Sequence, residues 1–106
     1  MENNFTSYDA ASERLKYQNI MRKLKTKLAT AENKEVAEWE NVKAMEARTD
    51  YVPKDEYEAI YNTYEKAIAI RKDIEYKIEL TEQAMKLFRE LNECLSNIEY
   101  LNNNKG

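Results

Sequence analysis

LTEQAMKLFRELNECLSNIEYL, residues 80–101, decides the fold. Leu80, Ala84, Leu87, Leu91, Cys94, Ile98 and Leu101 recur at alternating intervals of four and three. Met85, Phe88 and Leu95 form a second row beside the first. On a helix these rows make an apolar face wider than a two-helix seam needs. A helix with such a face must touch more than one neighbour, or one neighbour over a large area.

Composition supports long helices throughout. Of 106 residues one is Gly, the last, and one is Pro, Pro53 in the middle. A β or α/β domain of this length needs more turn residues than that. A charged share of 35% rich in Glu and Lys is that of solvated helices, and an apolar share of 42% is too high for a disordered chain.

Working outward from 80–101, the same helix extends back to Pro53, with an inward row of Tyr57, Ile60, Tyr64, Ala67, Arg71, Ile74 and Ile78. Pro53 suits a first helical position, where its missing N–H is not needed. Arg48-Thr49-Asp50-Tyr51-Val52-Pro53 is the one convincing turn. Before it, a first helix begins near Ser7. Thr6 and Asp9 are spaced as a capping box, and Phe5 and Ala10 as a weak hydrophobic staple. The inward row of this helix is Tyr17, Ile20, Met21, Leu24, Leu28, Ala31, Val42 and Met45, with Trp39 alongside and Glu35 and Glu38 at inward positions. The helix is expected to be continuous; the alternative is a break near 29–33 with Thr30 capping a fresh start.

The expected fold is therefore all-α: one domain over 1–106, a long antiparallel, coiled-coil-like helical hairpin. Helix 1 covers about 7–48, the turn 49–53 and helix 2 about 54–101, between polar tails. A short turn makes the helices antiparallel neighbours whose residue numbers sum to roughly 104. Leu15 then meets Phe88, and Glu35 faces Arg71 or Lys72 as an inward ion pair. A lone hairpin leaves the outer part of the 80–101 face wet, so two copies are expected to form a four-helix bundle with that segment at its centre. Cys94 reads as a small buried hydrophobe within the row.

The chain has no histidine. That removes Ser–His and Cys–His nucleophile pairs and His metal sites, and one cysteine cannot hold zinc. Without internal glycine there is no phosphate-binding loop. Glu35 with Glu38, and Glu75 with Glu79, read as solvated surface rather than acid–base pairs. The expectation is no enzyme: no catalytic residue, no cofactor and no metal.

Arg14, Lys16, Arg22, Lys23, Lys25 and Lys27 form a candidate basic patch. With a net charge of −3 and no helix-turn-helix break, the patch argues only weakly for nucleic acid. Trp39, Tyr51 and Tyr61 are candidates for a surface that binds another protein. The first ten residues lack an apolar signal core, and no apolar run approaches ~20 residues, so a cytoplasmic location without membrane contact is expected.

In outline, about 100 residues in a helical hairpin with a central tryptophan, the chain resembles the small type VII secreted WXG proteins. Their Trp-x-Gly sits in the turn; here Trp39-Glu40-Asn41 has no glycine and precedes the turn by about ten residues. The readings are thus three. The first is a self-associating interaction module that also binds an unidentified protein, in the manner of the adaptors, inhibitors and assembly factors of phages and mobile elements. The second is a secreted helical hairpin, and the third a nucleic-acid-associated protein using the basic patch.

Overall fold

The computed structural model describes residues 5–104; the outermost tail positions at both ends lie outside it. The chain is an all-α helical hairpin of two elements, α1 (Ser7–Glu46) and α2 (Lys54–Asn103). The capping box forms as spaced. The Thr6 amide donates to Asp9 Oδ2 at 2.9 Å, and the Asp9 amide donates to Thr6 Oγ1 at 3.2 Å. α1 runs unbroken through 29–33, where the Thr30 hydroxyl donates to the Thr26 carbonyl at 3.3 Å instead of capping a new helix.

The element ends differ slightly from the sequence reading. α1 stops at Glu46, because the last turn tightens and the Arg48 amide donates to the Met45 carbonyl at 3.1 Å. Pro53 stands just before α2, its carbonyl accepting from the Tyr57 amide at 3.0 Å. α2 runs on to Asn103, where the amide and side chain of Asn104 both donate to the Tyr100 carbonyl, at 3.1 and 2.8 Å. The connection is held by Arg48, whose guanidinium reaches Asp50 at 2.7 Å and Glu56 at 2.7 Å. Hydrogen bonds to Asp50 and then Glu56 raise the pKa of Arg48. The bond from Arg48 in turn lowers that of Asp50.

The chain forms two compact units, each built from both helices: one joins the chain up to Lys23 with the chain from Ile78 onward, and the other is Leu24–Lys77. In the first, Ala10 and Met21 of α1 and Thr81 of α2 are buried, with Tyr17, Met85, Phe88 and Leu95 half-buried beside them. Tyr17 stacks on Phe88 with ring centroids 5.5 Å apart. The residue expected against Phe88 was Leu15, which is exposed; it falls one position past the seam. Ile20 is likewise exposed, one position ahead of buried Met21. Cys94 is exposed and not buried, because Leu95 takes the seam position next to it. The start of α1 is tied to α2 by Glu99, which accepts from the Ser7 amide at 2.9 Å and the Ser7 hydroxyl at 2.7 Å.

In the second unit Ala31, Val42, Met45 and Ala67 are buried. The inward polar layer expected from the sequence is present: Arg71 grips Glu35 through Nε and through Nη2, the latter at 3.3 Å, and pairs with Glu75 on its own helix. Trp39 packs on Tyr64 with centroids 5.3 Å apart. Tyr57, expected inward, is exposed near the start of α2 and lies against Tyr61 at 4.7 Å.

Candidate functional site

The packed seam of the first unit passes through Ala10, Tyr17 and Met21 on α1, and through Thr81, Met85, Phe88, Leu95 and Glu99 on α2. Each row keeps the four–three spacing of paired helices. In an antiparallel pair of right-handed helices, the residue one ahead of each seam position falls on the same side for both helices. The second unit displays this rule. An open groove on one side is lined by Asn41 and Ala44, ahead of Val42 and Met45, and by Ala59 and Thr63, ahead of Ile60 and Tyr64. On the other side Tyr61 donates to Glu46, each one residue past its seam.

The row one ahead of the seam on α2 in the first unit is Leu80, Ala84, Leu87, Leu91, Cys94 and Ile98, continued by Leu101. All of the self-association candidates therefore share one flank. Relative exposure is 45% at Leu80, 65% at Leu87, 37% at Leu91, 52% at Ile98 and 65% at Leu101. The corresponding row of α1 is Asp9, Glu13, Lys16, Ile20 and Lys23. Lys16 reaches Glu13 at 2.7 Å, and that hydrogen bond raises its pKa. The opposite flank of α2 carries Glu82, Lys86, Arg89, Glu93, Ser96 and Tyr100. α2 is thus apolar on one flank and mostly charged on the other. Such a contiguous exposed apolar row stands out in a chain that is otherwise highly charged.

The other candidates are spread more widely. Trp39 and Tyr61 share one flank of the second unit with exposed Val36, but both rings are engaged, Trp39 with Tyr64 and Tyr61 with Tyr57 and Glu46. Tyr51 stands in the connection and is strongly exposed. The basic residues do not gather on one surface. In the first unit Lys16 and Lys23 lie on the flank of the leucine row and Arg22 on the opposite one, where it bonds to Asn19; Arg14 is half-buried at the seam. In the second unit Lys25 and Lys27 fall on opposite flanks.

The Ser7–Glu99 tie is a site that the sequence reading missed. The hydrogen bonds from the Ser7 amide and hydroxyl lower the pKa of Glu99. A glutamate in a charged helix carries no local signal that it will meet a helix start 92 residues away. Among the described residues no group of three or more carboxylate or thiol side chains is placed to hold a metal ion. No helix among them is long and apolar enough to cross a membrane. No family model, no curated protein and no solved structure matches the chain.

Proposed function

We propose that this chain is a non-enzymatic protein–protein interaction module whose first partner is a second copy of itself, bound through α2. One observation carries the reading: the regular apolar row of 80–101 lies one position off the intrachain seam and stays in water. Ordinary surface leucines are scattered; these repeat every three and four residues over six turns, the pattern that another helix fits. Covering the row on two copies removes on the order of 1,000 Å² from water, near the lower bound for a specific interface. The lack of histidine and internal glycine supports a binding role over catalysis. Adaptor, inhibitor and assembly factor are the roles such a module fills, with Trp39 and Val36 as the surface for a different protein.

Sedimentation equilibrium at tens of micromolar tests the reading. The chain is expected to sediment as a dimer or larger species. Leu87→Glu, at an exposed position, should give monomer, while Tyr100→Glu on the opposite flank should not. A monomeric unaltered chain overturns the proposal.

A further inference from the structure

The flank that carries the leucine row has two unlike halves. The α2 half is apolar throughout: Leu80, Ala84, Leu87, Leu91, Cys94, Ile98 and Leu101. The α1 half is acidic near its start, at Asp9 and Glu13, and basic further on, at Lys16 and Lys23, with Ile20 between the lysines. Two copies that meet flank to flank can be related by a twofold axis in two ways. An axis along the helices lays each α2 on the partner's α1. An axis across the helices lays α2 on α2 and α1 on α1, each pair running in opposite directions.

The first arrangement presses leucines onto four charged side chains and takes water from them without supplying counter-charges, which is costly. The second lays apolar on apolar. It also reverses one α1 row against its copy, so the acidic end of each meets the basic end of the other. The levels agree. The leucine row is centred near Leu91, and the contacts of Ser7 with Glu99 and of Tyr17 with Phe88 put that level beside the middle of the Asp9 to Lys23 row. Reversal about this level also sets the two small residues of the α2 row against large ones: Ala84 against the partner's Ile98, and Cys94 against the partner's Leu87. Alternating small and large residues in this way fills a helix interface without voids.

We infer that the partner for this face is a second copy in antiparallel orientation, with α2 crossing α2 near Leu91, Asp9 of each chain facing Lys23 of the other, and the Glu13–Lys16 pairs of the two chains meeting near the axis. The inference rests on the self-association proposed above and adds its orientation.

The experiment is electron spin distance measurement on chains carrying Cys94→Ala and one labelled cysteine at Glu82, Arg89 or Ser96. These positions sit one heptad apart on the flank away from the leucine row. An antiparallel pair gives its shortest distance at position 89, with the two labels at position 82 offset by about 21 Å more along the axis, since each residue shifts them apart by ~3 Å. Three equal distances mean parallel copies and overturn the orientation while leaving self-association standing. Absence of any intermolecular signal, with monomeric sedimentation of the unlabelled chain, overturns both. An independent arm is Lys23→Glu, which sets a like charge opposite Asp9 and should weaken association roughly tenfold at low salt and less at high salt. An unchanged affinity overturns the α1-on-α1 pairing.

Discussion

Glu99 shows how a single side chain can close a helical hairpin. The first amides of a helix have no partner within it, and the N-terminus carries partial positive charge. Thr6 and Asp9 satisfy part of that need locally, and their spacing made the box readable in the sequence. Glu99 adds a bond to the Ser7 amide from α2, and nothing local announces it, because the same residue type reads as solvated surface elsewhere on the helix. Its pKa is lowered in the folded chain by the bonds from Ser7. A carboxyl of this kind stabilises the fold above its unfolded pKa, about 4.3, and the contribution is lost as pH falls from there through the lower folded value. Amides at the start of α1 should therefore lose hydrogen-exchange protection, relative to mid-helix amides, as pH drops below about 4.3. Glu99→Gln should show reduced protection already at neutral pH and a flatter acid profile. Matching acid profiles for the two chains would show that the Ser7–Glu99 bonds do not hold the helix start.

At the scale of the elements, the pairing register was legible and the exact seam was not. Two helices of similar length around one short turn leave little freedom in which residues face each other, so Glu35 and Arg71 could be placed together from the turn position alone. Which row of α2 faces α1 is a finer question. The seam of the first unit contains Thr81 and Glu99, polar residues that a reading by hydrophobicity passes over, whereas the adjacent row is the more apolar one and yet lies outside. One residue of offset turns a helix by about 100°, so Leu15, Ile20 and Cys94 all moved from expected contact to exposure by the same small step. The Glu35–Arg71 layer carries a prediction of its own. Breaking one side of a partly buried ion pair strands the other charge, while replacing both with apolar residues removes the need for either. Glu35→Ala should accordingly lower the melting temperature more than Glu35→Leu combined with Arg71→Leu. If the two variants melt together, the pair contributes no more to the seam than any exposed charge.

For the whole molecule, the proposed pairing of two copies through the leucine row links folding to concentration. A fold whose largest apolar row is covered only by another copy is stabilised by mass action, so its melting temperature depends on how much protein is present. With an unfolding entropy of ~2.1 cal/mol/K per residue, a dimer of two such chains should melt about 3 °C higher for each tenfold rise in concentration. Circular dichroism melts from one to a hundred micromolar would resolve this slope. The effect has a built-in control in the position of Leu87, which is 65% exposed in the single chain and contributes little to its own seam. Leu87→Glu should abolish the slope and melt near the low-concentration limit of the unaltered chain, because it removes the partner while keeping the intrachain contacts of Phe88 and Tyr17. A flat melting temperature in the unaltered chain over that range would mean that two helices hold without a partner. The repeat of leucines along 80–101 would then need a different protein to account for it.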